Sequence, residues 1–206
     1  MLDYEDQFYN QEVQAIVGVD EAGRGPLAGP VFAAAVILPP GYHNPGINDS
    51  KKLTAKKRDA LFEQIKRDAL AYGIASVDAN EIDKLNIYEA TKVCMKKAIA
   101  QLKHPYDMII TDCMPLSGYE VPILPLVKGD AKCENVAAAS ILAKVSRDRY
   151  MEELEKEYPD FRFSIHKGYG TKAHMEELKK YGPIEGIHRR SFRPVAECFQ
   201  VQLKLF

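Results

Sequence analysis

A short apolar segment that ends in two adjacent carboxylates constrains the fold of this 206-residue chain more than any other feature. Residues 15–19 are apolar and predict a buried strand, and Asp20 and Glu21 follow directly. Neighbouring side chains on a regular strand point to opposite faces, so these two can share a site only where the strand ends or bends. The glycines of the turn over residues 23–26 permit that bend. The segment therefore predicts a functional strand end.

The residue types of this strand end indicate its chemistry. Two like charges side by side repel each other unless a positive group lies between them, and a divalent metal ion is the usual one. Gly23 and Gly25 lack a Cβ atom, so their amides can come close to a ligand, and Arg24 between them is suited to a phosphate. A polar strand end followed by an ordinary turn is the alternative for the Asp-Glu pair alone.

Composition narrows the class of protein. The chain is 46% hydrophobic, enough for the core of one domain. Its net charge of −1 does not by itself indicate a nucleic-acid partner, although local basic clusters can still meet phosphate. The four cysteines lack metal-binding spacing and favour a reduced cytoplasmic protein. The polar N-terminus does not resemble a signal peptide, and the apolar run 31–38 is shorter than the ~20 residues that span a bilayer.

Periodicity and turn residues predict an α/β fold with a mixed five-stranded central sheet flanked by helices. The predicted strands are 15–20, 31–38, 72–79, 108–111 and 121–127, and the predicted helices are 54–70, 86–102, 133–158 and 171–181. Inward-facing positions are expected at Leu61, Ile65 and Ala69 of the first helix and at Ala90, Val93, Cys94, Ala98 and Leu102 of the second. Residues 1–14 are expected to form a short arm or a first helix.

Further carboxylates follow two later strands. Asp112 comes directly after the fourth predicted strand, and Asp130 follows the fifth after a Lys-Gly step. Ligand sites of open α/β sheets collect outside the carboxyl ends of strands, and an all-carboxylate set suits Mg²⁺ or Mn²⁺ rather than zinc. Both aspartates could instead merely cap loops. Asp148 is another candidate, but its mid-helix position favours an ion pair with a neighbouring arginine.

The segment Asp20–Pro26 resembles the signature of type 2 ribonuclease H, the bacterial ribonuclease HII family. The resemblance covers roughly residues 15–195 and continues, in order, through residues 49–53, 111–112, 128–130, 138–144 and 166–171. It implies a ribonuclease-H-like fold with a helical C-terminal part packed beside the sheet. It also implies that Asp20 is a ligand shared by two metal ions and that Glu21, Asp112 and Asp130 complete the two sites. Such ions, ~3.5–4 Å apart, clamp the attacking and leaving oxygens of a phosphodiester.

Substrate selection has to come from other residues, because a nuclease that selects RNA must sense the 2′-hydroxyl. The backbone amides of the turn Gly23-Arg24-Gly25 are suited to that contact. Tyr169 lies between glycines, and the resemblance implies that its ring packs on the deoxyribose that follows the ribonucleotide. It could instead only anchor its own loop. Gly170 stands where many relatives have proline, so this loop is expected to be more mobile.

Basic residues are expected to hold the substrate backbone without sequence preference. Taken singly, each could be a solvated surface charge. The candidates for phosphate contact are Lys51, Lys52, Lys144, Lys167, Arg189 and Arg190.

The resemblance implies an endonuclease that cuts 5′ to a ribonucleotide in duplex DNA or within RNA–DNA hybrids and leaves 3′-hydroxyl and 5′-phosphate ends. The type 3 enzyme is one alternative, but it carries an extra N-terminal domain, whereas 14 residues precede the first predicted strand. A non-catalytic nucleic-acid-binding module is another, against which the set of carboxylates argues. A monomer is expected, because no large apolar surface stripe is apparent.

The sequence divides into an arm over residues 1–14, a catalytic domain over 15–195 and a tail over 196–206. Apolar and polar residues alternate from Phe199 to Leu205, which predicts an edge strand or a frayed tail. The final pentapeptide resembles the motif by which bacterial repair proteins bind the DNA polymerase sliding clamp. In that resemblance Leu205 and Phe206 fill a pocket, Gln202 bonds at its rim and Leu203 packs beside it. The tail could also pack on its own domain.

Overall fold

The structure is a computed structural model that describes residues 2–47, 50 and 53–203, with the backbone alone described from residue 199. The strands are β1 Ile16–Ala22, β2 Val31–Ile37, β3 Ala71–Val77, β4 Met108–Asp112 and β5 Ile123–Leu126. The α-helices are α1 Ala55–Asp68, α2 Ala79–Leu85, α3 Ile87–Ile99, α4 Glu134–Glu157, α5 Phe163–His166, α6 Lys172–Tyr181 and α7 Arg193–Leu203. Short 3₁₀ turns cover Tyr4–Phe8 and Gly129–Ala131.

The five strands form one mixed sheet, as predicted, and their order in the sheet is β3-β2-β1-β4-β5. The pairs β1–β2 and β2–β3 are antiparallel, whereas β1–β4 and β4–β5 are parallel. The carboxyl ends of β1, β4 and β5 therefore lie at the same edge of the sheet. Asp20, Asp112 and Asp130 lie at this edge.

Both faces of the sheet are covered, which explains the continuous apolar run of β2. Ala33, Ala35 and Ile37 point into a core with α3, whereas Ala34 and Val36 point into a core with α1 and α4. The inward faces predicted for the first two helices are confirmed, because all of their named positions pack in these two cores.

Glycine allows helix α4 to lie directly against the centre of the sheet. A Cβ atom on Gly18 of β1 would lie 2.1 Å from the carbonyl carbon of Asn135. No side chain fits into that space, so the small residue sets the distance between strand and helix. The close approach brings the first half of α4, with Ser140 and Lys144, beside the end of β1.

The N-terminal segment contacts the start of α4. Glu5, in the 3₁₀ turn, is buried, and its Oε1 accepts hydrogen bonds from the backbone and side-chain nitrogens of Asn135. The Asn135 Oδ1 atom accepts in turn from the Leu38 backbone at 2.8 Å. Glu5 thereby satisfies a backbone amide in the first turn of α4, which Cys133 begins without a side-chain cap.

The C-terminal part is helical, as expected, and it has a core of its own. Leu27 and Ala28 of the loop after β1 pack there with residues of the second half of α4 and of the helices that follow. The loop between β1 and β2 is therefore held between the sheet and the helical part.

The described part of the structure contains three helices that the sequence did not predict. Helices α2 and α5 are two of them, and Asp78 caps α2 by accepting from the Glu81 amide at 2.8 Å. The edge strand or frayed tail predicted from Phe199 is wrong up to Leu203, because these residues continue α7. Val195 and Cys198 explain the helix, since both pack into the C-terminal core at a spacing of three residues, which suits a helix and not a strand. Leu205 and Phe206 lie outside the described residues.

Within the described part of the chain, none of the helices is both long enough and apolar enough to cross a membrane.

Candidate active site

Three of the four predicted carboxylates meet at the carboxyl edge of the sheet. Asp20 lies near the end of β1, Asp112 is the last residue of β4, and Asp130 lies in the 3₁₀ turn that follows β5. One carboxylate oxygen from each lies within 4.8 Å of the others. The topology produces this triad, because three parallel neighbouring strands end at one edge.

The negative charges of the triad lie close together and partly buried, which a bound cation would stabilise. Asp20 is almost completely buried, and this burial raises its pKa well above the ordinary value of a carboxyl. The negative charges of Glu21 and Asp112 raise the pKa of Asp20 further, against hydrogen bonds from the Glu21 amide and Ser140 that lower it. A bound divalent ion would remove this cost, and an all-oxygen ligand set suits Mg²⁺ or Mn²⁺. The residues present therefore fit a hard divalent metal.

A backbone contact fixes the position of Asp112 relative to Asp130. The Asp112 Oδ1 atom accepts a hydrogen bond from the Gly129 amide at 2.8 Å. Gly129 precedes Asp130 and begins the 3₁₀ turn, and Lys128 before it has a positive φ of 57°. This sharp turn after β5 brings Asp130 back toward the end of β4.

Glu21 lies beside the triad without being part of it. Its Oε1 atom is 3.4 Å from a guanidinium nitrogen of Arg24, and its side chain is mostly buried. Its role as a metal ligand stays a prediction. The ion pair with Arg24 links the acidic strand end to the glycine turn.

The predicted substrate-contacting residues share one cleft with the carboxylates. The cleft is lined by residues 20–25, Ser50, Asp112, Ser140, Lys144, Arg147 and Tyr169. Residues that are far apart in the sequence, in the turn after β1, in α4 and in the loop after α5, therefore surround one opening.

Tyr169 and the glycine turn form one wall of this cleft. The side chain of Tyr169 is 44% exposed, and a Cβ atom on Gly25 would lie 3.6 Å from its ring. The amide of Leu27 donates to the carbonyl of Gly168 at 2.8 Å, which holds the two loops together. The phenol ring and the peptide backbone of the turn thus face the same space.

Two buried arginines, whose role the sequence did not reveal, hold the loop after β1. Arg147 of α4 donates to the carbonyls of Ala28, Pro30 and Lys167 at 2.9–3.1 Å. A Cβ atom on Gly23, whose φ is 101°, would lie 2.2 Å from the Arg147 Nε atom. The spacing of Arg147 from Ser140, Ala143 and Met151, which share a helical face, could have indicated that its side chain points inward.

Arg189 is the second of these arginines, and its predicted phosphate contact is wrong. It has no exposed surface, and its guanidinium donates to the carbonyls of Gly23, Arg24 and Gly29. Burial and the charge of Arg147 together lower the pKa of Arg189 to about 9, and burial lowers that of Arg147 to about 10. Both side chains are therefore cationic at neutral pH.

Of the other predicted phosphate contacts, Lys144 lines the cleft. The Lys144 Nζ atom donates to Asp148 at 2.6 Å, and Lys167 pairs with Glu152 at 2.7 Å. Asp148 is an ion-pair partner, as predicted, although its partners are Lys144 and Arg58 rather than an arginine adjacent in sequence. Arg190 is exposed and pairs with Glu185. Lys51 and Lys52 lie outside the described residues.

Comparison with known proteins gives consistent matches over nearly the whole chain. The ribonuclease HII family model matches residues 17–195. A ribonuclease HII from Caldanaerobacter subterraneus subsp. tengcongensis is 53% identical over 189 residues, which cover 92% of this chain and 78% of that protein.

Solved structures agree with the sequence matches. Ribonuclease H2 from Pyrococcus horikoshii superposes with a TM-score of 0.79 at 29% identity, covering 92% of this chain and 99% of that one. Archaeoglobus fulgidus RNase HII, solved as a complex with PCNA, superposes with a TM-score of 0.72 at 28% identity, covering 93% of this chain and 100% of that one.

Proposed function

The chain belongs to the ribonuclease HII family of hydrolytic nucleases, and from this premise we propose that it cuts on the 5′ side of a ribonucleotide. The proposed substrates are RNA–DNA hybrids and duplex DNA with a single embedded ribonucleotide, and the products carry 3′-hydroxyl and 5′-phosphate ends. The ribonuclease-H-like fold implied by the sequence, with its mixed five-stranded sheet and helical C-terminal part, is confirmed.

One observation carries the substrate proposal: the ring of Tyr169 lies against Gly25 beside the acidic triad. A nuclease that recognises a single ribonucleotide has to contact the 2′-hydroxyl and the sugar that follows it at the same time. Amides of the glycine turn suit the first contact, and an exposed ring suits the second. We propose that their adjacency lets them contact the two sugars of an RNA-to-DNA junction.

The triad is suited to divalent metal ions, which would supply an activated water and stabilise the leaving oxygen in an in-line displacement. We propose that Asp20 is shared between two ions and that Glu21, Asp112 and Asp130 complete their ligand sets. Lys144, held by Asp148 at the same cleft, adds a positive charge where a phosphate enters. Arg189 holds the carbonyls of Gly23 and Arg24, so the turn presents a fixed backbone to the substrate.

Cleavage of two labelled duplexes tests this proposal. One is an RNA–DNA hybrid, and the other is DNA with a single ribonucleotide; both are incubated with Mg²⁺ or Mn²⁺ and with chelator. The wild-type protein is expected to cut both only with metal, and Asp112→Asn is expected to cut neither. Asp160→Asn, a change at an exposed loop carboxylate, is the matched control and should retain activity.

The same assay separates the alternatives. Cutting of the hybrid without cutting at the single ribonucleotide would match the type 3 enzyme instead. Equal behaviour of the wild type and Asp112→Asn would contradict the catalytic role of the triad. Binding of both duplexes without metal-dependent cleavage would favour a non-catalytic module.

We also propose that residues 202–206 bind the DNA polymerase sliding clamp. The sequence Gln-Leu-Lys-Leu-Phe supports this, as does the relative that was solved as a complex with PCNA. Helix α7 carries Gln202 and Leu203 at its C-terminal end. A monomer in the cytoplasm, where chromosomal DNA is replicated and repaired in bacteria, completes the proposal.

A further inference from the structure

Three buried histidines lie directly behind the Tyr169 loop. His166, His174 and His188 are each no more than 5% exposed. The rings of His166 and His174 are stacked, with centroids 4.2 Å apart and planes 8° from parallel. Aromatic rings of Phe161 and Phe163 surround them. Polar rings in such surroundings have to be hydrogen-bonded. The groups that bond to the histidines therefore show which part of the backbone the cluster holds in place.

One chain of hydrogen bonds runs from the backbone after α6 to Tyr169. The Ile184 amide donates to Nδ1 of His188 at 2.9 Å, so a neutral His188 carries its proton on Nε2. That proton is directed at Nε2 of His174, 3.1 Å away. His174 therefore carries its own proton on Nδ1 and donates it to the Tyr169 carbonyl at 3.0 Å. Both ends of the chain require the same tautomers, because an amide can only donate and a carbonyl can only accept.

His166, the other ring of the stacked pair, holds Gly168, which is the residue before Tyr169. The Gly168 amide donates to Nδ1 of His166 at 3.1 Å, and Nε2 of His166 lies 2.8 Å from Glu177. Glu177 also accepts from Arg162 at 2.7 Å. The amide of Gly168 and the carbonyl of Tyr169 are thus both bonded to histidines, and Thr171 adds a backbone bond to that carbonyl.

All three rings are neutral at physiological pH, which these tautomers require. Burial, together with the charges of neighbouring histidines, lowers the pKa of His174 to about 4 and that of His188 to about 3. Burial also lowers the pKa of His166, although Glu177 opposes this. A second proton on His174 would direct two N–H groups at each other across 3.1 Å.

We propose that His174 and His188 are positioning residues that hold Tyr169 against the glycine turn, and that they set the preference for a single ribonucleotide over a long hybrid. The inference rests on the proposed function of Tyr169 at the RNA-to-DNA junction. His174 contacts the backbone of Tyr169, His188 acts on it through His174, and neither is among the described residues that line the cleft. Their effect on cleavage therefore has to pass through the position of the tyrosine.

Two substitutions at one position separate positioning from packing. His174→Phe keeps a ring of similar shape in the aromatic cluster but removes the donor to Tyr169 and the acceptor for His188. His174→Asn loses the ring but places an amide N–H close to the position of Nδ1, so it can restore the bond to the carbonyl. His104→Phe, on the loop after α3, is the matched control.

We expect His174→Phe to reduce cleavage at a single ribonucleotide about five- to tenfold more than cleavage of a long hybrid, the factor expected when one neutral hydrogen bond is lost. His174→Asn should recover most of this difference, and His104→Phe should show none. In a Tyr169→Ala background, His174→Phe should not change the ratio of the two activities further. Equal losses on both substrates, or a further change in that double variant, would overturn the inference.

The tautomers give a test that needs no substrate. Nitrogen-15 NMR of the wild-type side chains at neutral pH should show the proton of His174 on Nδ1 and those of His166 and His188 on Nε2. A proton on Nε2 of His174 would refute the chain of hydrogen bonds to Tyr169, even if His174→Phe fails to fold. Failure of the wild type to cut at a ribonucleotide would refute the proposed function, whereas cutting without the predicted split refutes the positioning role alone.

Discussion

Arg189 donates a hydrogen bond to the carbonyl oxygen of Gly23 at 2.7 Å from a position with no solvent exposure. The described hydrogen bonds of its guanidinium all go to backbone carbonyls of the loop after β1. An arginine near the C-terminal end of the chain therefore determines the shape of the turn that follows β1. This long-range contact links the helical C-terminal part to the candidate active site.

Removal of this guanidinium is expected to destabilise the protein and to weaken cleavage of both substrates. Arg189→Met keeps the length of the side chain but leaves buried carbonyls without a donor, which costs about 1–3 kcal/mol for each unsatisfied group. Both duplexes should be affected, because the proposed contact of the turn with the ribose is the same in either. Urea unfolding and steady-state cleavage measure the two effects. Arg190→Met, at the exposed neighbour, is the control for stability, and equal destabilisation by both variants would contradict this role for Arg189.

Asp20→Asn is expected to abolish cleavage while the metal-free protein keeps or gains stability. The buried carboxyl of Asp20 is destabilised by burial and by the charges of Glu21 and Asp112, and the amide removes that charge. Thermal unfolding in chelator should give an equal or higher Tm for the variant. Added Mn²⁺ should raise the Tm of the wild type, because a ligand that binds only the folded state stabilises it, and should raise that of the variant much less. An unfolded variant would assign Asp20 a structural role instead.

Tyr169→Ala is expected to impair cutting at a single ribonucleotide more than cutting of long hybrids. One junction among many deoxyribonucleotides has to be located by contact with the following sugar, whereas a long hybrid offers many equivalent sites. Tyr169→Phe keeps the ring and should behave like the wild type. The ratio of kcat/KM on the two duplexes is the measurement, and an unchanged ratio for Tyr169→Ala would remove this residue from junction recognition.

The sequence predicted the parts of the site that local pattern determines. Asp20 and Asp112 end the apolar runs of β1 and β4, and Asp130 follows β5. The order of elements was enough to indicate that these strand ends share an edge. Only the resemblance indicated that the glycine turn and Tyr169 contact the same substrate. Their actual contact depends on how the loop after α5 packs on the loop after β1, which no local spacing encodes.

The sequence did not predict that Arg147, Arg189 and the three histidines are buried. Charged residues are rarely buried without a carboxylate partner, so Arg189 was interpreted as a surface contact. Its partners are carbonyls about 160 positions away, and backbone acceptors leave no trace in the residue types. Helix α7 was not predicted for a related reason. The apolar and polar residues alternate at its end, and this local pattern does not show that Val195 and Cys198 pack into the C-terminal core.

Acid is expected to destabilise the fold through the buried histidines. An unfolded histidine has a pKa of about 6.5, whereas burial lowers the pKa of His174 to about 4 and that of His188 to about 3. The unfolded state therefore binds more protons below about pH 6.5, so the stabilising contribution is complete above that pH and is lost as the pH falls toward the folded values.

Urea unfolding between about pH 7.5 and pH 5 measures this dependence, at roughly 1.4 kcal/mol per pH unit for each such histidine. His174→Asn should show a smaller loss of stability across this range, whereas His104→Asn should follow the wild type. Asp20 contributes with the opposite sign because its pKa is raised, so the difference between wild type and variant is the informative quantity. Parallel curves for the wild type and His174→Asn would show that His174 is not the group that titrates.

Deletion of residues 202–206 is expected to abolish binding to the sliding clamp while hybrid cleavage persists. Two large apolar residues side by side, Leu205 and Phe206, gain most from a hydrophobic pocket, and the described residues of the catalytic cleft lie elsewhere in the chain. Binding to purified bacterial clamp at micromolar protein is the measurement, with unchanged thermal stability as evidence that the fold is intact. Alanine at both Leu205 and Phe206 should match the deletion, whereas Lys204→Ala should bind normally, because the motif leaves that position open. A wild-type protein without clamp affinity would refute this partner, and a deletion that lowers the Tm would show instead that the segment packs on its own domain.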